Sequence, residues 1–281
     1  MSISNTNPPD RTSDLPLPER GLCAHRGAMQ LWPENSPASL REAVRLGAQM
    51  IEFDLRLSKD GEPMVIHDQT VDRMINGSGK IAEMTVRELK QLTYKNNGEP
   101  LPDSERILTL REALELFPRN IWLNLHLKGK VERTGWQTRL TRFLRSTRKK
   151  TALARIVTRQ IIDSGRRHQA LLTCGGIHAM AAREENESIQ ICYVVRGRDS
   201  HQAVQEAIAM RAQFIQLSET CPPTPDLVAQ LKRHGLRISY CFGESPEEAR
   251  KLFSLGVNFP LANNIHELMP HAAALELKPV S

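Results

Sequence analysis

A chain of 281 residues, 40% hydrophobic and 25% charged, is long enough to bury a large core and has the balance of an ordinary soluble globular protein. A net charge of +6 with 5% aromatic residues argues against a nucleic-acid partner, because the basic side chains are scattered except for a run at 145–150 (RSTRKK) at the end of a predicted helix. No apolar stretch reaches the roughly 18–20 residues that span a bilayer, and five cysteines without a CxxC pair (Cys23, Cys174, Cys192, Cys221, Cys241) imply reduced thiols and a cytoplasmic setting.

Residues 1–20 are polar and carry prolines. They lack a basic start followed by an apolar run, so a flexible lead is expected rather than a secretory signal. Residues 21–25 (GLCAH) form a short apolar strand ending at Arg26 and Gly27, and a loop containing WPEN follows. Ser36 then caps a helix, with Pro37 at the first helical position, apolar residues at Leu40, Ala43, Val44 and Leu46, and Gly47 as its stop. The strand Met50–Leu57, a Lys59-Asp60-Gly61 turn and a second strand ending at His67 and Asp68 come next. The stretch 69–110 is irregular. One helix in it opens on the capping box of Thr85 and Glu88, and Thr109 starts another that Pro118 closes. NGSGK at 76–80 is not a phosphate loop: Met74 stands where the pattern needs glycine, and Ile81 where it needs serine or threonine.

Residues 121–128 (IWLNLHLK) alternate strictly, with Leu123, Leu125 and Leu127 on one face and Asn124, His126 and Lys128 on the other. Beyond them the pattern predicts a helix at about 136–147, a strand at 155–161 and a helical stretch at 164–184 interrupted at Gly175-Gly176. Strands at 188–195, 213–217, 236–242 and 257–262 then alternate with helices at 200–211, 224–234 and 245–255. Gly235 and Gly256 sit where helices must end.

About eight strands, each followed by a helix, favour a closed (β/α)8 TIM barrel with a small insertion after the second strand over an open doubly wound sheet. No GxGxxG opens the first unit, which weakens a dinucleotide fold. Functional residues of such barrels gather at the C-terminal ends of the strands. His25 ends the first strand, Glu52 and Asp54 lie late in the second, and His126 and Lys128 end the third. Glu52 and Asp54 are two apart and leave the same face of the pleat. Two carboxylates on a mostly apolar strand repel each other and lose hydration. A divalent cation between them removes that penalty, and His67 at the next strand end could supply a proton. The alternative is an edge strand whose acids face solvent. Polar groups from independent strands converging on one rim weigh against it.

AHRG at 24–27, PENS at 33–36, EFDLRLSKDGEPMVIHD at 52–68, DRMINGSGKIAEMTVREL at 72–89 and ILTLREAL at 107–114 come in a fixed order. In that combination, from about Leu22 to Lys128, the chain resembles the glycerophosphodiester phosphodiesterase family. The resemblance implies a TIM barrel over 21–281 with an insertion at about 69–109. It also implies metal-dependent hydrolysis of glycerophosphodiesters, small molecules such as deacylated phospholipids, to an alcohol and glycerol phosphate. It assigns Glu52 and Asp54 to the metal, His25 and His67 to an acid–base pair, and Arg26 to the substrate phosphate. Near-neutral imidazoles suit both proton transfers, and a planar guanidinium suits the anion. Which histidine is acid and which is base stays open.

Two departures from the family pattern stand out. The family has a third metal carboxylate on the third strand in a pattern like E-x-K, whereas this chain has His126 followed by Lys128. Lys128 matches a family lysine expected at the phosphate. His126 lies on the right face to remain a ligand. Two carboxylates leave a bound dication formally neutral, and a nitrogen ligand favours Mg2+ or Mn2+, with Ca2+ or Zn2+ as alternatives. The family's seventh strand carries a tryptophan and its eighth an acidic motif. Here residues 238–242 read ISYCF and 259–263 read FPLAN, so Tyr240 or Phe242 is the expected replacement for the tryptophan wall. Two alternatives follow: a lysophospholipase D acting on a larger lipid, or a degenerate phosphate-ester-binding protein that has lost turnover.

Overall fold

The computed structural model describes residues 17–128, 151–195 and 200–278. The helix expected at 136–147, the basic run at 145–150 and residues 1–16 of the expected lead lie outside the described residues. Eleven strands occur among the described residues. They are β1 (Cys23–His25), β2 (Met50–Leu57), β3 (Pro63–Val65), β4 (Lys95–Asn96), β5 (Glu99–Pro100), β6 (Trp122–Leu127), β7 (Ala170–Cys174), β8 (Gln190–Val194), β9 (Phe214–Ser218), β10 (Arg237–Cys241) and β11 (Phe259–Ala262). Eight of these, β1, β2 and β6–β11, are parallel neighbours, and β1 pairs with both β2 and β11, which closes the barrel. β3 adds to β2 antiparallel, and β4 and β5 form a separate hairpin.

Strand alternation divides the core into two layers. Outward residues such as Phe53, Leu55, Leu123, Leu125 and Leu172 pack under the helices. Inward residues Cys23, Met50, Trp122, Leu171, Cys192, Phe214, Phe259 and Leu261 fill the N-terminal end of the barrel. There Trp122 and Phe214 meet edge-on at 5.3 Å, and the Trp122 indole N–H donates to the Pro18 carbonyl at 2.7 Å. Residues 17–20 therefore cover the bottom of the barrel, and the polar inward residues are left for the other end. Four of the five cysteines are buried, and burial pushes the Cys192 and Cys241 thiols up to about 12.

The local signals of the sequence correspond to the observed helix starts. Ser36 accepts the Ser39 amide as N-cap with Pro37 in the first turn, and Thr85–Glu88 and Thr109–Glu112 both form capping boxes. Residues 64–107 carry their own small core, in which Met64, Ile66, Val71, Ile75, Ile81, Leu89 and Ile107 surround Tyr94. The Tyr94 hydroxyl donates to the Val65 carbonyl at 3.1 Å and ties this core to the end of β3.

The fourth barrel strand was misplaced. Residues 155–161, expected as a strand, lie inside the helix Ala152–Asp163. β-branched residues there favour extended chain, but Leu153, Ala154, Val157 and Ile161 recur at three- and four-residue spacing and bury one helical face. The strand is instead β7, ALLTC, which was absorbed into the helical stretch at 164–184. The helix of that stretch starts only at Gly176. Every residue of β7 is buried, so the strand shows no alternation to distinguish it from a buried helix. Among the described residues no helix is long and apolar enough to cross a membrane.

Candidate active site

Register brings the predicted residues to one rim. His25 lies opposite Glu52 across β1 and β2, while Glu52 and Asp54 lie opposite Asn124 and His126 across β2 and β6. All point into the barrel just above its apolar plug. Glu52 and Asp54 are fully buried, and Glu52 Oε1 and Asp54 Oδ1 accept no well-aligned hydrogen bond. Leaving two carboxylate oxygens so placed is costly unless a cation compensates them.

An imidazole and two cations approach. His126 Nδ1 is 3.3 Å from Glu52 Oε1 and 3.6 Å from Asp54 Oδ1. Lys128 Nζ is 3.0 Å from Asp54 Oδ1, and Arg26 Nε is 3.2 Å from Asp54 Oδ2. Burial pushes the Asp54 carboxyl up, but Lys128, His126, Arg26 and a hydrogen bond from Asn35 outweigh it and hold the group well below the usual carboxylate range. Burial acts on His126 in the other direction: it lowers the imidazole, against the pull of Glu52 and Asp54. A neutral imidazole is the form that binds a metal. Glu52, Asp54 and His126 can each offer one ligand atom within 4.8 Å of the others. Two buried carboxylates and one imidazole that converge this closely fit a divalent cation of the Mg2+, Mn2+ or Zn2+ kind.

The loop after β1 builds the second layer of the site. Arg26 and Asn35 both adopt left-handed backbone, at φ 54° and 61°. This turns the Arg26 amide onto Glu52 Oε2 at 3.0 Å and lets the Asn35 side chain clasp Asp54 twice. Asn35 Nδ2 donates to Asp54 Oδ2 at 3.0 Å, and the Asp54 amide donates to Asn35 Oδ1 at 3.1 Å. Gly27, at φ 79°, has Ser39 so close that a Cβ there would lie 2.5 Å from its Oγ. AHRG and PENS are thus two parts of one loop that fixes the carboxylates.

His67 reaches the site through a chain of ion pairs. Its Nδ1 is 2.8 Å from Asp68 Oδ1, and the carboxylate, which can only accept, makes Nδ1 the donor. Arg73 bridges Asp68 and Glu34, and Glu34 in turn accepts from Arg26 at 3.0 Å. Burial raises the Asp68 carboxyl, and Arg73 and His67 together more than reverse it. Glu34, His67 and Asp68 also converge closely enough to hold an ion, but the Arg73 guanidinium already bridges both acids. Glu34, Asn35 and Arg73 were not singled out from sequence. Glu34 and Asn35 lie inside the quoted PENS, so their signal was present without a stated role.

The wall opposite β2 is Phe242, whose ring lies 5.0 Å from that of His25 and is 40% exposed. Tyr240, the other candidate, packs against the outer core. Two further residues, Asn263 at the end of FPLAN and Glu244, stand behind His25 with no role evident from sequence. Asn263 Oδ1 is 2.7 Å from His25 Nδ1, and the Asn263 amide donates to Glu244.

Residues 25–265 match the sequence profile of the Glycerophosphoryl diester phosphodiesterase family. The glycerophosphodiester phosphodiesterase of Caldanaerobacter subterraneus is 40% identical over 111 residues, which are 39% of this chain and 46% of that protein. Human glycerophosphodiester phosphodiesterase 1 is 37% identical over 110 residues, 38% of this chain and 33% of that protein. The match therefore spans about half or less of the length of these relatives. Among solved structures, an Oleispira antarctica phosphodiesterase in complex with sn-glycerol-3-phosphate superposes with a TM-score of 0.74 at 22% identity, covering 92% of this chain and 97% of that one. The glycerophosphodiester phosphodiesterase of Agrobacterium tumefaciens gives 0.71 at 19% identity over 89% and 99%. These two likenesses are of fold.

Proposed function

The chain belongs to the glycerophosphoryl diester phosphodiesterase family, and from that premise we propose that it hydrolyses a glycerophosphodiester to an alcohol and glycerol phosphate. Glu52, Asp54 and His126 hold a divalent cation, and His25 and His67 exchange the protons. The observation that carries this reading is the buried pair of carboxylates Glu52 and Asp54, two residues apart on one strand face, with the His126 imidazole 3.3 and 3.6 Å from their oxygens. A divalent cation bound there supplies Lewis-acid polarisation of the phosphodiester.

The chain's own groups supply the rest. Arg26 and Lys128 bring two permanent cations to the same rim, where a diester anion gains most from them. Phe242 shields His25 from water on one side. Asp68 holds His67 with Nδ1 as donor, which leaves Nε2 to exchange a proton with the substrate. The sn-glycerol-3-phosphate bound by the Oleispira antarctica protein is the kind of product this reading expects. Barrel position 21–281, with 69–109 as its insertion, and a cytoplasmic setting belong to the same proposal.

One observation favours the second reading, a lysophospholipase D. Leu31 and Trp32 are 43% and 40% exposed and line a groove of about 350 Å³ with Met29, Met74 and Lys95, next to Glu34. Purified protein assayed with glycerophosphocholine and with lysophosphatidylcholine, across Mg2+, Mn2+, Ca2+ and Zn2+, decides between the readings. Glycerophosphocholine is expected to be consumed, with loss of turnover in EDTA. Preference for the lysolipid favours the second reading. Turnover of neither, with measurable binding, favours a phosphate-ester-binding protein.

A further inference from the structure

Two residues from the last two barrel units stand behind His25. Asn263 follows β11, and Glu244 lies in the loop after β10. Glu244 is firmly held: its amide donates to Glu248 Oε2 at 2.8 Å, its carbonyl accepts from Asn264 Nδ2 at 2.6 Å, and its Oε2 accepts the Asn263 amide at 3.2 Å. Its Oε1 accepts from Asn263 Nδ2. A carboxylate has no proton to give, so it admits only the nitrogen end of the Asn263 side chain. The oxygen end must then face His25, where Oδ1 lies 2.7 Å from Nδ1. An amide oxygen only accepts, so Nδ1 must carry the hydrogen. The neutral ring is left with its lone pair on Nε2, the nitrogen 3.9 Å from Glu52 Oε2 at the centre of the rim.

We propose that Glu244 and Asn263 are positioning residues that lock neutral His25 as the Nδ1–H tautomer, so that Nε2 is the atom that takes up a proton during hydrolysis. The attacking oxygen passes its proton to Nε2 as it bonds to phosphorus. The phosphorus–oxygen bond to the alcohol breaks, that oxygen leaves with a proton from His67, and His25 becomes an imidazolium whose Nδ1–H still points at Asn263. The catalytic part of this statement rests on the hydrolytic reading above, whereas the tautomer does not. Complementarity between Glu244 and Asn263 is directional. Asn263→Asp sets two carboxylates against each other. Glu244→Gln lets the facing amide turn either way. The double change Glu244→Gln with Asn263→Asp restores a donor facing an acceptor and an acceptor facing His25.

The test joins ring 15N NMR of histidine-labelled protein, at a pH where imidazole is neutral, to steady-state kinetics with glycerophosphocholine and Mn2+. In the wild type the His25 ring is expected to show a protonated Nδ1 and a bare Nε2, and in Glu244→Gln a mixture of tautomers. Each single change is expected to lower kcat by about 10–100-fold with KM little altered, and the double change to recover most of that loss. A bare Nδ1 in the wild type, an unchanged tautomer in Glu244→Gln, or a double variant no faster than the slower single one overturns the proposal. If the wild type turns over no diester, the 15N spectra still decide the tautomer, and only the hydrolytic reading falls.

Discussion

Replacing His25 by alanine is expected to lower kcat by about 100- to 10,000-fold, the usual contribution of a general acid–base group, and to leave the fold in place. His25 sits at the rim end of β1, with its ring between Phe242 and the Glu52 carboxylate. Its removal opens space toward the mouth of the barrel and leaves the apolar plug untouched. The affected partner, Asn263, keeps its hydrogen bonds to Glu244. Activity and stability should therefore part: turnover collapses, while the circular dichroism spectrum and thermal transition stay close to wild type. A rate for purified His25→Ala within a few-fold of wild type would remove His25 from the chemistry.

Asp54→Asn is expected to damage activity and stability together. Asp54 is fully buried and compensates Arg26 and Lys128. Neutralising it leaves Lys128 without its carboxylate and Arg26 with Glu34 alone, and one of the Asn35 contacts loses its charged acceptor. Breaking a buried ion pair from one side costs about 3–5 kcal/mol. The pH dependence has a definite sign. The Asp54 carboxyl is held below its unfolded value, so its stabilisation is fully present above about pH 4, the unfolded range, and is lost as pH falls through the lower folded value. Urea unfolding of wild type should therefore weaken on acidification below about pH 4, and Asp54→Asn should show a smaller share of that loss. Equal stability of the two proteins at neutral pH would mean that Asp54 is not the counter-ion of this cluster.

Much of the rim was legible because strand alternation and register act together. Once 50–57 and 121–128 are adjacent parallel strands, two acids spaced by two and a His-x-Lys spaced by two must share the inner face. Capping boxes at Thr85 and Thr109 were equally local and equally legible. What failed was non-local. β7 is buried throughout, and in sequence alone a buried strand and an apolar helical stretch read alike, so the strand was moved one element too early. Glu244 and Asn263 sit 19 residues apart in different loops, and only barrel closure brings them behind His25. Sequence alone also did not show that Arg26 pairs with Glu34 and Asp54, since the left-handed turn at Arg26 and Asn35 that folds the loop back over β2 has no sequence signal beyond PENS.

His126 is the residue on which the site's identity depends, since it stands where the family pattern has a carboxylate. The most direct measurement is pulsed electron paramagnetic resonance of Mn2+ titrated into the purified protein. The site described above predicts one tightly held Mn2+ per chain with a 14N coupling from a directly bound imidazole. That coupling should vanish in His126→Ala, and the ion should bind weakly or not at all in Glu52→Gln. A protein that holds no Mn2+, or holds it unchanged in both variants, would contradict a cation site built from Glu52, Asp54 and His126.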